Sequence, residues 1–157
     1  MIDQVEFNSA TFYRYAVVDF NKLISNLHGD RDLALLGIEA FATAMARALP
    51  TGKQNTFAAH NAPAFIGVVL RNSSQFNLAN AFEKPIWPKK DTALSTLSIT
   101  ALANYDTQVS SVYGDARDVW AYIDLSGAWP AGKGTVQPNL EALVSWVRDQ
   151  VSVRSAA

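Results

Sequence analysis

The seven residues Ala64-Phe65-Ile66-Gly67-Val68-Val69-Leu70 lie between Pro63 and the polar run Asn72-Ser73-Ser74. Their short length, their β-branched and aromatic content and the turn residues that flank them predict a buried strand. A strand that is apolar on both faces has to be covered on both faces, so helices are expected on either side of it in the chain.

Upstream, Asp30 stands where it can cap a helix that runs to about Leu49 and is ended by Pro50 and Gly52. That helix carries two apolar stripes, one of Leu33, Leu36, Ala40, Phe41, Ala44 and Ala48, the other of Leu35, Ile38, Ala42, Met45 and Leu49. Two stripes predict packing on a sheet with further cover elsewhere. Residues 21–27 read as a short helix closed by His28-Gly29. Residues 4–20 read as extended, and Phe12-Tyr13-Arg14-Tyr15-Ala16-Val17-Val18 is expected to be a central strand because both of its alternating faces are largely apolar.

Downstream, residues 77–87 read as irregular or as one helical turn, with Pro85 and Pro88 forbidding regular structure nearby. Asp91 or Thr92 is expected to start a helix that ends near Gly114 and turns Leu94, Leu97, Ala101, Tyr105 and Val112 inward. Val119-Trp120-Ala121-Tyr122-Ile123 reads as a third strand, followed by the loop Gly127-Ala128-Trp129-Pro130-Ala131-Gly132-Lys133-Gly134. Asn139 caps the last helix, with Leu140, Leu143, Val144, Val147 and Val151 at helical spacing. The fold class expected is α+β, a small antiparallel sheet packed with helices. Three strands make a thin sheet for this much apolar helix surface.

The chain of 157 residues fits one domain, residues 1–157, and its 49% hydrophobic content is enough for a core. With no cysteine, disulfide frameworks, thiolate zinc sites and cysteine nucleophiles are excluded. The first residues lack the basic and apolar regions of a secretory signal, and no stretch approaches the roughly 18 apolar residues of a membrane span. A soluble, cytoplasmic protein without a membrane partner is expected. The net charge of -1 argues against nucleic-acid binding by bulk electrostatics, so any such site must be local.

Little in the sequence supports catalysis. There is no nucleophile elbow and no paired-histidine motif, and His28 and His60 are isolated. Gly127 to Gly132-Lys133-Gly134 follows a strand like a phosphate-binding loop, yet Gly134 stands where that loop needs Ser or Thr, and the next helix waits until Asn139. It reads as a turn. Asp115, Asp118 and Asp124 read as turn and strand-flanking residues. The expectation is no enzyme and no cofactor.

Two basic clusters remain. Gly52-Lys53-Gln54-Asn55-Thr56 combines a flexible glycine, a cation and amide groups able to hold a phosphate or a sugar hydroxyl. Lys89-Lys90 follows Pro85-Ile86-Trp87-Pro88, so two cations sit beside an aromatic on a stiff loop, a mixture suited to single-stranded nucleic acid.

Four segments taken together carry a resemblance: Glu6-Phe7-Asn8-Ser9-Ala10-Thr11-Phe12-Tyr13-Arg14-Tyr15-Ala16, Gly52-Lys53-Gln54-Asn55-Thr56-Phe57-Ala58, Asn80-Ala81-Phe82-Glu83-Lys84 and Leu140-Glu141-Ala142-Leu143-Val144-Ser145-Trp146-Val147. In order and spacing they resemble the C-terminal part of the CasC/Cse-type backbone subunit of the type I-E CRISPR Cascade complex. The resemblance implies a non-catalytic subunit that polymerises along the guide crRNA, with copies of itself, other Cascade subunits and, through the crRNA, target DNA as partners. It implies a partial RRM-like (ferredoxin-like) palm, with a returning thumb strand at residues 1–10. Lys53, Gln54, Asn55, Lys89 and Lys90, and more weakly Arg14, are the residues it would place on RNA.

The departures are equally informative. Family members are roughly twice as long, and the first palm strand, the finger domain and the incoming thumb strand have no counterpart here. The expectation is therefore a C-terminal, palm-forming portion of a longer subunit. No RNP1-like string is present, so base stacking of the ordinary RRM kind is not implied. The competing expectation is an interaction module that assembles with itself or other Cascade subunits without touching RNA.

Overall fold

The computed structural model describes residues 10–49, 60–72 and 74–154. In chain order these form α1 (Phe20–Asn26), α2 (Arg31–Arg47), β1 (Phe65–Leu70), a 3-10 helix (Leu78–Phe82), α3 (Leu94–Tyr113), β2 (Val119–Asp124), β3 (Thr135–Val136) and α4 (Leu140–Arg154). The class is α+β. The expected thumb strand at residues 1–10 falls almost wholly outside the described residues.

β1 and β2 pair antiparallel, from Phe65 opposite Asp124 to Leu70 opposite Val119. β3 adds a short parallel rung, with Ala121 opposite Thr135. The sheet is therefore mixed, in the order β1-β2-β3. The parallel rung was not foreseen because Thr135-Val136 is too short to show a period, and it is placed by the loop before it. At Gly134 the backbone takes φ +95°, and a Cβ there would lie 2.6 Å from the Trp120 carbonyl oxygen. Glycine is what lets the loop lie against β2.

Strand alternation puts Phe65, Gly67 and Val69 with Trp120 and Tyr122 on one face, and Ile66, Val68 and Leu70 with Val119, Ala121 and Ile123 on the other. The first face carries the core of Leu78, Ile99, Leu102, Ala103, Tyr122 and Trp129, with the 3-10 helix and α3 packed over it. The Phe65 and Trp129 rings pack tilted with centroids 4.7 Å apart, and those of Trp120 and Trp129 at 5.1 Å. The second face is covered by α4, which packs on both strands and on α2.

The caps foreseen at Asp30 and Asn139 are present: their carboxylate and amide oxygens accept from the Leu33 and Ala142 N–H groups. α2 buries Ala34, Leu35, Ile38 and Ala46, whereas Leu33, Leu36 and Phe41 of its other stripe are exposed. α1 ends as expected, with His28 and Gly29 at positive φ.

Two expectations fail. Residues 12–18 form no strand. Tyr13 packs on Phe82, while Phe12, Tyr15, Val17 and Val18 are exposed and, among the described residues, no strand pairs with the segment. Aromatic and β-branched composition records a fit to a pleated, half-buried surface, and among the described residues no strand offers one to this segment. α3 begins at Leu94 rather than at Asp91 or Thr92, and it buries Ser98, Ile99, Leu102, Ala103 and Asp106 while Val112 is 69% exposed. The buried stripe contains a fully buried aspartate, which disguises it from a reading based on hydrophobicity.

Asp106 is accommodated by charge. Its Oδ1 lies 3.1 Å from Arg71 Nη2 and its Oδ2 2.8 Å from Lys133 Nζ, and Arg71 Nη1 also meets Asp118 Oδ2 at 3.0 Å. The Lys133 contact is an ion pair outside hydrogen-bond geometry, so Oδ2 has a compensating charge but no hydrogen bond. This cluster joins the end of β1, the middle of α3, the start of β2 and the loop before β3.

Candidate nucleic-acid interface

The 3-10 helix is anchored by buried Leu78 and capped by Asn77, whose side-chain oxygen accepts from the Ala79 N–H. Beyond Phe82 the chain emerges through exposed Glu83 and Lys84 to Pro85, half-buried Ile86, Trp87 and Pro88. The two prolines fix φ on either side of Trp87 and stiffen it. Trp87 is 75% exposed, an uncommon state for so large an apolar ring.

The next residues make a tight turn. An isolated bridge joins Lys89 to Thr92, the Thr92 N–H donates to the Lys89 carbonyl at 3.3 Å, and Asp91 takes φ 62°, a left-handed conformation that aspartate tolerates. Lys89 and Lys90 stand exposed on this turn, and neither forms an ion pair among the described residues. α3 starts just behind, with Ala93 as an N-cap that makes no side-chain bond and no acidic residue in the first turn. The first turn itself therefore carries no carboxylate to offset the helix dipole, and Asp91 of the preceding turn is the nearest acidic residue in the chain before it. An aromatic face, two ammonium groups and a helix N-terminus thus share one rigid corner. That combination can stack a base and hold backbone phosphates.

The other sequence-derived candidates are placed differently. The Arg14 guanidinium donates to the Ala48 carbonyl at 2.7 Å and meets Met45 Sδ at 3.7 Å, so it caps the C-terminal end of α2. Lys53, Gln54 and Asn55 lie outside the described residues. Lys133, in the loop once compared with a phosphate-binding loop, donates to the Ala103 carbonyl and the Thr107 hydroxyl and stands over the Trp129 ring. It is a structural cation.

The aspartates serve the fold as well. A side-chain hydrogen bond from Arg117 holds the Asp115 carboxyl well below the usual carboxylate range. Burial pushes the Asp124 carboxyl up, but donors from the Ser126 hydroxyl and from the Trp129, Ser126 and Gly127 N–H groups outweigh it and lower the pKa. Asp124 thereby organises the turn that delivers Trp129 to the core. Trp129 itself is 4% exposed, its indole N–H donates to the Lys133 carbonyl at 2.8 Å, and it is a core residue although it stands in a loop. Its place beside Pro130 in a glycine-rich segment hid it.

Among the described residues no helix is long and apolar enough to cross a membrane. No match is found among curated proteins. Among solved structures, one titled "CRISPR RNA-guided surveillance complex" is similar with a TM-score of 0.76 and 24% identity over 85% of this chain and 50% of that one. Another, titled "CRISPR RNA-guided surveillance complex, pre-nicking", gives a TM-score of 0.75 and 24% identity over 85% of this chain and 35% of that one. The chain thus spans half or less of the length of these structures, with which it shares its fold. The model of the CT1975-like protein family matches residues 1–146, and the chain belongs to that family.

Proposed function

We propose that this chain works as the palm-forming portion of a backbone subunit in a type I-E Cascade complex, a CRISPR surveillance assembly, with an RRM-like palm. It binds the guide crRNA through the RNA backbone, polymerises along it with copies of itself and other Cascade subunits, and is non-catalytic. Target DNA is recognised by base pairing to the guide rather than by this chain's side chains.

The observation that carries the reading is the corner Trp87-Pro88-Lys89-Lys90, whose ring is exposed and whose cations form no ion pair among the described residues. Membership of the CT1975-like family and a fold shared with chains from CRISPR RNA-guided surveillance complexes support it. Lys89 and Lys90 hold phosphates without reading sequence, and Trp87 offers a sequence-tolerant stacking face. Lys53, Gln54 and Asn55 are assigned to the same strand of RNA. Arg14, by capping α2, supports the neighbouring surface.

A second reading is favoured by a separate observation. Leu33, Leu36 and Phe41 leave an apolar stripe of α2 exposed, as a module that only binds other protein subunits would do. Filter retention of a labelled single-stranded RNA at low salt separates the two. The RNA reading expects retention that is lost on replacing Trp87, Lys89 and Lys90 together by Ala. An interaction module gives oligomers and no retention.

A further inference from the structure

α2 turns Ala34, Leu35, Ile38 and Ala46 inward, and its period of about 3.6 residues sets Leu33, Leu36, Ala40 and Ala44 on the opposite side, where all of them are exposed. Leu33 is 48% and Leu36 55% exposed, which is unusual for neighbouring leucines on one helix face. α4 packs against one flank of α2, and α1 approaches at Gly37, where a Cβ would meet Leu23 Cδ2 at 3.8 Å. Neither covers the outward face.

The charges of α2 fall into two groups. Arg31 donates to the Ser152 carbonyl, and Glu39 pairs with Arg148 of α4. Asp32 in the first turn and Arg47 in the last are exposed and form no ion pair among the described residues. They bracket the apolar face, with Ala40 close to midway, and stand roughly 22 Å apart along the axis at about 1.5 Å per residue. At about 100° per residue they also lie within roughly 60° of each other around the helix, on the same edge of the face. A two-fold axis running across two antiparallel helices brings each edge against the same edge of the other copy. Two α2 helices crossed at Ala40 would therefore set Asp32 beside the partner's Arg47 at both ends at once.

We infer that the occupant of this face is a second copy of the chain, α2 lying antiparallel on α2 in a two-fold pair. Leu33, Leu36, Ala40 and Ala44 form its apolar centre, and the two Asp32–Arg47 pairs close its ends. The same patch serves both copies, so the contact stops at two and needs no RNA. One helix on one helix falls in the small class of interfaces, below about 1,200 Å², so the dimer is reversible. Opposite charges at matched positions favour this occupant over a nucleic-acid strand, to which an apolar face with a carboxylate at one end offers nothing. The inference rests on the stripe behind the interaction-module reading and is independent of the corner at Trp87.

The test is sedimentation equilibrium of the 157-residue chain at low salt and without RNA. Across about 5–500 µM, the range suited to a small interface, it should show monomer and dimer in exchange. Leu36→Glu should weaken the dimer by at least about tenfold. Asp32→Arg and Arg47→Asp each oppose like charges at both ends and should weaken it by at least about fivefold. An equimolar mixture of those two variants, and the chain carrying both substitutions, should recover it, because opposite charges again meet at both ends. Single losses with joint recovery are specific to the antiparallel pair. Circular dichroism checks that each variant is folded, and Leu36→Glu, which leaves the helix ends untouched, decides the matter if a charge reversal unfolds the chain. A monomer throughout the range would give the face to another occupant and overturn the inference. A dimer indifferent to Leu36→Glu, single reversals without effect, no recovery in the mixture, or assemblies larger than two would overturn it as well. RNA retention is read separately, so the failure of either reading is distinguishable from that of the other.

Discussion

Replacing Asp106 by Ala tests whether the buried charge cluster holds the fold together. The carboxylate is fully buried on α3 and compensates Arg71, whose side chain is 7% exposed, and Lys133, at 18%. Without it Arg71 keeps Asp118 and the face of the Phe76 ring, and Lys133 keeps uncharged partners, among them the Ala103 carbonyl, the Thr107 hydroxyl and the Trp129 ring. Breaking a buried pair from one side costs about 3–5 kcal/mol, because the remaining charge stays buried without its partner. That is a large part of the ~5–15 kcal/mol that stabilises a domain. For a chain of this size it corresponds to a fall of roughly 6–20 °C in melting temperature. Urea unfolding followed by circular dichroism reads it directly, as a lower midpoint at an unchanged m-value. Glu39→Gln serves as the comparison, since it removes a pair with Arg148 that is partly open to solvent and should cost no more than about 1 kcal/mol. A loss below about 1 kcal/mol for Asp106→Ala would refute the reasoning and mean that water enters the cluster.

Gly134→Ala should cost at least about 1–3 kcal/mol, since it combines a left-handed backbone with a collision against the Trp120 main chain; thermal melts read the loss, and an unchanged melt would count against the close approach. Asp124 has a lowered pKa in the fold, so its contribution is fully present above the unfolded carboxylate value of about 3.9 and disappears as pH falls through the lower folded value. Acid unfolding curves of Asp124→Asn should therefore lie closer to wild type at low pH than at neutral pH, whereas a constant gap would contradict that lowering. Asn139→Ala removes the bond to the Ala142 N–H and should cost about 1 kcal/mol in the same urea assay.

Much of the fold could be read from the sequence where local rules and tertiary demands agree. Asp30 and Asn139 cap helices because a short polar side chain before an apolar period has few other uses. Val68 and Val69 lie in a strand because both faces there are covered. The reading failed where a partner decides the outcome. Residues 12–18 have the composition of a strand, but a strand needs a neighbour. The inner face of α3 was missed because Asp106 is buried by virtue of Arg71 and Lys133, which are distant in sequence. Trp129 was missed because the Asp124 turn that places it is visible only in three dimensions. At the candidate interface, the Lys89-Lys90 pair beside Trp87 was legible as chemistry. Its exposure and its place at the uncapped start of α3 were not.

The most direct test of RNA holding at this corner is the salt dependence of binding. The affinity of the chain for a fluorescent oligouridylate, measured by anisotropy across a series of salt concentrations, gives a slope of log K against log salt. Each phosphate contact contributes about 0.7 to that slope for a single strand, so replacing Lys89 and Lys90 by Ala should flatten it by roughly 1.4. A slope unchanged by the double substitution, or binding that does not respond to salt, would contradict the account.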